Sequence, residues 1–400
     1  MFKNKLIKFI VIVILNLILV SNVNICVNNI YAQSAENQNV DIKEEIVNEV
    51  GENLNIDEYI SSLQTYVDES SVDSFNISEL TEALIKNGNI NYKNIAIKIL
   101  SIFSSEVVKS LSGAIGIFII IVIMSIISSL ELEEKSDITK LTHLVCLVAI
   151  VVIMASTLTE IILDFKKTVT ALTTIMQIIS PFLMGVIIAT GKITSTGIIK
   201  PMLLFLASAI GFLINYIVIP FICISVSLNI ISNLSENLNL GKMSKLFNST
   251  SIWVVSVTLT IFLGILSLET TLTSSVDTLA IKATQTAVSN FVPVVGKFFS
   301  DSFETVVGAT HIIANVGGII GIIVIVIVAI VPILKILSVM IIYMILASLV
   351  EPICKDEQIM KFISSFATTY KTLLGILIGI SILFIISTGI ILNLASSVTS

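Results

Sequence analysis

From Ile312 to Val350 the chain runs for 39 residues with a single charge, Lys335. Wound as one helix at about 1.5 Å per residue, that run would reach about 58 Å, close to twice the roughly 30 Å hydrocarbon core of a bilayer. One straight span does not fit such a core, so Pro332 and Lys335 are expected to mark a tight outer turn between two spans. Runs of this kind recur. At about 20 apolar residues per crossing, candidate spans are Leu111–Leu130, Leu141–Leu163, Leu172–Thr190, Pro201–Ile222, Ile252–Leu268, Val316–Leu334, Ile336–Ile353 and Thr372–Leu394. The expected fold class is therefore an all-α polytopic membrane protein with a bundle of 7–8 transmembrane helices. Seven applies if the pair around Lys335 is one span plus a surface or re-entrant piece. Composition agrees: of 400 residues 55% are hydrophobic and 12% charged, with a mean hydropathy of +1.03, values that water-soluble domains do not reach.

The formal charge of −6 is unevenly spread. Residues 1–32 hold three Lys and no acid, residues 33–94 three Lys and thirteen acids, and residues 95–400 sixteen Lys and fifteen acids. Three domains follow. Lys3, Lys5 and Lys8 ahead of the apolar stretch Phe9–Val20, with Ala32 and Ala35 beyond, have the form of a signal peptide over 1–32. Residues 33–94 form a small acidic extracytoplasmic domain whose Tyr59, Leu63, Tyr66 and Val67 fall at helical spacing. So few large apolar side chains bury little core, and its short helices need a partner or the membrane. Residues 95–400 form the multi-span domain. Lysine counts in the loops, nine inside against five outside and nine against eight once Lys93, Lys98 and Lys109 are added, hardly discriminate orientation. Orientation rests on the signal.

Several positions depart from ordinary spanning helix. Pro181, after Ser180 and before Gly185, and Pro220, near Asn215, each free a backbone carbonyl that hydrocarbon leaves unsatisfied unless protein or water intervenes. Such broken helices line transport paths or simply kink. Gly317 and Gly321, like Gly375 and Gly379, stand four apart and permit close helix approach, within the bundle or between copies as a homo-oligomer. Glu160, His143, His311 and Lys335 are the ionisable groups near the spans, and placement at the interface accounts for them more simply than a proton relay. Between Glu269 and His311 lies a segment neither charged enough for a linker nor apolar enough for a span. Amphipathic pieces broken at Pro293 and Gly296 suit a re-entrant or interfacial segment over 276–310.

Chemistry is sparse. There is no Ser/His/Asp set, Cys/His pair, Gly-rich phosphate loop or HExxH helix, so no enzyme, cofactor or metal is expected. Four scattered cysteines make neither a disulfide framework nor a zinc site. All 22 basic residues are lysine, and no basic surface for nucleic acid is in prospect.

The run Lys282-Ala-Thr with Ser289-Asn-Phe-Val-Pro-Val-Val-Gly296, then Ser300-Asp-Ser-Phe-Glu-Thr-Val-Val-Gly308, closely resembles the signature region of the stage III sporulation protein AE family of endospore-forming bacteria. Val331-Pro-Ile-Leu-Lys-Ile-Leu337 and Leu349-Val-Glu-Pro-Ile353 look like the same family, as does the order of leader, acidic segment and bundle. A Lys- and Asn-rich composition suits a clostridial member. The resemblance implies a non-enzymatic membrane subunit of a channel-like transport complex that joins mother cell and forespore and is required for late forespore development. It places the chain in the outer forespore membrane, beside other stage III sporulation operon membrane proteins, their cytoplasmic ATPase and a forespore-side partner across the intermembrane space. Insertion would be assisted by a YidC/Oxa1-type insertase, and no site residue is implied. A stand-alone secondary transporter and a structural scaffold anchoring ring-forming partners remain alternatives.

Overall fold

The computed structural model describes residues 55–70, 77–78, 81, 92–130, 137–189, 193–234, 240–291, 295–353 and 357–396. The proposed signal, most of the acidic segment and Pro293 lie outside the described residues. The elements are α1 (Ile56–Glu69), α2 (Tyr92–Leu130), α3 (Asp137–Ala189), α4 (Ile193–Leu213), a five-residue π-turn (Ile214–Val218), α5 (Ile219–Leu234), α6 (Gly241–Phe291), α7 (Val295–Val350) and α8 (Glu357–Ser396). No strand occurs among the described residues. An all-α polytopic architecture is what an Ile- and Leu-rich chain adopts where no water is available to its backbone, because a helix satisfies its own N–H and C=O groups.

Among the described residues, six stretches are long and apolar enough to cross a membrane: Ile99–Ile127, Leu144–Ala189, Lys200–Asn233, Gly241–Leu266, Thr310–Val350 and Ile359–Asn393. The eight expected spans therefore fall on six helices. Leu141–Leu163 and Leu172–Thr190 both belong to α3, while Val316–Leu334 and nearly all of Ile336–Ile353 belong to α7. The tight turn expected at Pro332 and Lys335 is absent, and α7 continues through both residues. Two facts explain this correction. Proline deletes only one helix hydrogen bond, a loss that the burial of Val328, Ala329, Ile336 and Val339 against neighbouring helices offsets. The lysine, for its part, finds its counter-charges inside the bundle, as described below. Within 276–310, residues up to Phe291 belong to the end of α6 and residues from Val295 to the start of α7.

The core is a continuous apolar cluster contributed by every helix. α7 and α8 share the largest interface, and α3 and α2 pack against α7 as well. Buried hydroxyls are neutralised locally. Thr173, Ser180, Ser381, Ser387 and Thr388 each donate to the carbonyl four residues back, which lets them sit in an apolar interior at little cost. Away from the core, Ile115, Ile119 and Ile123 of α2, Leu144, Val148 and Val152 of α3, and Phe205 and Phe212 of α4 are exposed in apolar stripes. Such a surface suits lipid.

Helix crossings depend on glycine at one notch in α7. A Cβ placed on Gly317 would meet the ring of Phe182, one on Gly318 would meet Leu392, and one on Gly321 would lie 2.8 Å from Ile179 Cδ1. Gly379 faces Leu259 at 3.1 Å, whereas Gly375 has nothing within 4 Å. Gly318→Val should therefore lower the thermal midpoint of the detergent-purified chain. Gly113→Ala, at an open helical position, should leave it unchanged or raise it by the roughly 1 kcal/mol helix-propensity gain. Thermal-shift size-exclusion chromatography reads both.

Candidate functional site: the seam between α3 and α7

α3 and α7 run antiparallel, and two polar features lie along the line where they meet. The first is an ion cluster. Lys335 Nζ of α7 lies 2.6 Å from Glu160 Oε1 and 2.6 Å from Asp164 Oδ2 of α3. Glu160 and Asp164 stand four apart and so share one face of α3, where two like charges would repel. The ammonium between them removes that repulsion and donates to both. The lysine side chain is 23% exposed, against 65% for Glu160 and 35% for Asp164. Two carboxylates on one ammonium leave the cluster at −1. Around it, Phe165 and Leu158 are buried, and Thr168 donates to the Asp164 carbonyl. Further along α7, the rings of Tyr343 and Tyr370 meet edge-on at 5.4 Å, both buried.

The second feature lies 18 residues before Lys335. Here α1 seats its apolar face on the seam: Tyr59, Ile60, Leu63 and Val67 are all buried. The Tyr59 ring stacks on Phe182 of α3 with centroids 3.9 Å apart and planes 9° from parallel. Its hydroxyl donates to the Gly317 carbonyl at 2.8 Å. Burial pushes the Tyr59 phenol well above its usual range, so it stays protonated and remains a donor. Asn55, in the left-handed region at φ 53°, starts the helix, and Asp57 and Glu58 in the first turn complement the positive end of the helix dipole. The neighbouring Ile77 is tied in by its N–H, which donates to Gln64 Oε1 at 2.8 Å.

The sequence-derived candidates separate into those the seam gathers and those it does not. Pro181 precedes Phe182 on α3 and lies beside the Gly317 and Gly321 notch; Ser180 next to it is fully buried and bonded to the Met176 carbonyl. Lys335 lies on the seam. Pro220 lies elsewhere, as the second residue of α5 immediately after the π-turn that holds Asn215. That wider turn absorbs the register change the proline would force, and the Asn215 side-chain oxygen in it is buried without a partner. Gly296 is the second residue of α7. Glu160 and Asp164 had no assigned role as partners of Lys335. The signal available was an acid pair four apart in one apolar run and a lone lysine in another. No group of three or more His, Cys, Asp or Glu residues capable of holding a metal occurs among the described residues.

The family profile of Stage III sporulation protein AE (spore_III_AE) matches residues 75–395. A protein of Bacillus subtilis (strain 168) named Stage III sporulation protein AE is 24% identical over 241 residues, which is 60% of this chain and 60% of that protein. The match thus spans less than two thirds of that relative's length. No solved structure matches. Both features of the α7 face, Gly317 and Lys335, fall inside the matched region, whereas α1 precedes it.

Removing the cation should expose its value. Lys335→Met leaves two carboxylates without a counter-charge and should destabilise by about 1–2 kcal/mol, less than a fully buried pair because the acids are partly exposed. Adding Glu160→Gln and Asp164→Asn to that variant should recover most of the loss. Detergent-denaturation midpoints of the single and triple variants test this; equal losses in both would exclude the ion cluster as the cause.

Proposed function

We propose that this chain, which belongs to the stage III sporulation protein AE family, is a non-enzymatic multi-pass membrane subunit of the channel or transport complex that links mother cell and forespore. The observation that carries the reading is the family match over residues 75–395. Support comes from six helices among the described residues that are long and apolar enough to cross a membrane and from an ion cluster and a buried tyrosine–carbonyl hydrogen bond along one interhelical seam. A subunit of such a complex contributes a conduit or a platform and needs no chemistry of its own.

In this reading the protein resides in the outer forespore membrane with its acidic amino-terminal region facing the intermembrane space. Its partners are other stage III sporulation operon membrane proteins, their cytoplasmic ATPase and a forespore-side protein, with a YidC/Oxa1-type insertase assisting insertion. A second reading, a self-sufficient secondary transporter, draws on the ion cluster at Lys335, since charged groups between apolar helices commonly mark ion or solute pathways. Gradient-driven flux in liposomes holding this protein alone would favour it.

A clean deletion in the spore-forming host tests the main reading. Engulfment should complete and forespore development should then stop, with heat-resistant spores restored by the gene in trans. Normal spore yield from the deletion strain would overturn it.

A further inference from the structure

The place of α1 in the bundle conflicts with an apolar surrounding. α1 is 14 residues long, about 21 Å, too short to cross a bilayer. Its outward face carries Asp57, Glu58, Ser61, Thr65, Asp68 and Glu69, all exposed. Yet its inward face is seated on Gly317 and on Phe182, next to Gly321 and Ile179, seven residues, about 10 Å of helix, inside the ends of the apolar stretches at Thr310 and Ala189. Four carboxylates on one short helix cannot face acyl chains, because each ionised group there carries a penalty of several kcal/mol. Water has to reach this level of the seam.

We infer that the α3–α7 seam opens on the α1 side into a water-filled recess, and that α1 is a plug seated in it by Tyr59. Three features fit the plug to its seat. The Gly317 carbonyl, left accessible by the missing side chain, takes the tyrosine proton at 2.8 Å. Phe182 offers a flat platform for the ring. At Gly321 an added Cβ would come within 3.1 Å of the Tyr59 hydroxyl, so any other residue there would crowd the anchor. The ion cluster at Lys335 is an independent sign of polarity on the same seam. Between the two levels Leu172, Ile175, Val324 and Val328 are buried, so the recess is closed on its inner side.

Single cysteines placed in the full-length chain, with Cys26, Cys146, Cys223 and Cys354 replaced by serine, test it in membranes exposed to anionic, membrane-impermeant methanethiosulfonate on both faces. Thr65→Cys should react readily, while Ile119→Cys and Ile261→Cys on the exposed apolar faces should stay unreactive. Ile179→Cys, under the plug, should react slowly. Labelling of such a site follows the opening equilibrium, so adding Tyr59→Phe, which keeps the ring and loses the hydrogen bond, should speed it about 5- to 10-fold. Tyr59→Ala should speed it about 100-fold, since the ring contact is lost as well. Leu158→Cys, buried in the bundle away from α1, should not change; if it rises with Tyr59→Ala, the Tyr59→Phe arm decides. A Thr65→Cys as inert as the apolar controls would overturn the recess, and an Ile179→Cys rate indifferent to both substitutions would overturn the plug.

Discussion

Lys335 lies near the middle of the apolar stretch Thr310–Val350, and its ammonium is held 2.6 Å from each of two carboxylates on the facing helix. An unpaired ammonium at that position would break the helix or draw it to a water interface, since the cost of burying it exceeds that of one lost helix hydrogen bond. Paired, it does neither. α7 passes through Pro332 and Lys335 without interruption, and α3 passes through Glu160, Asp164, Lys166 and Lys167 in the same way. Both helices run unbroken past these charges, and the ion cluster marks where the two antiparallel helices face each other.

The register has a second consequence. With Lys335 opposite Glu160 and Asp164, Gly321 falls opposite Ile179 and Gly317 opposite Phe182. A helix pair so aligned presents a flat ring beside an exposed carbonyl, and α1 supplies the tyrosine that uses both. The ion cluster and the α1 seat are thus two ends of one alignment. A shift of a single helical turn, about 5.4 Å, would remove the partners of Lys335 and the platform of Tyr59 together.

Much of the fold was legible from hydropathy alone: the all-α class, the apolar stretches, and the helical spacing of Tyr59, Leu63 and Val67 that became the buried face of α1. The number of helices was not, because a lysine and a proline inside an apolar run signal a turn only if nothing elsewhere compensates them. That compensation came from residues 171 and 175 positions away in sequence, which no local pattern reveals. The glycines were recognisable as close-approach residues. Their neighbours were not: Gly317, Gly318 and Gly321 meet three different partners, whereas Gly375, at the same spacing from Gly379, meets none. Pro220 could be read as a helix irregularity, but the π-turn that accommodates it depends on how α4 and α5 are held in place.

The ion cluster also divides each of the two long helices into two parts. On the α1 side of the cluster the apolar stretch of α7 runs over residues 310–334, about 37 Å, and that of α3, beyond Lys166 and Lys167, over residues 168–189, about 33 Å, each sufficient for one hydrocarbon core. α1 rests on these two segments. An acidic helix whose Tyr59 contacts lie seven residues inside Thr310 and Ala189 requires hydration where the surrounding helices, exposing Phe205, Phe212 and Ile261, have surfaces suited to lipid. In the inferred arrangement the same slab of the bundle is apolar on its outer helices and wet at the α3–α7 seam.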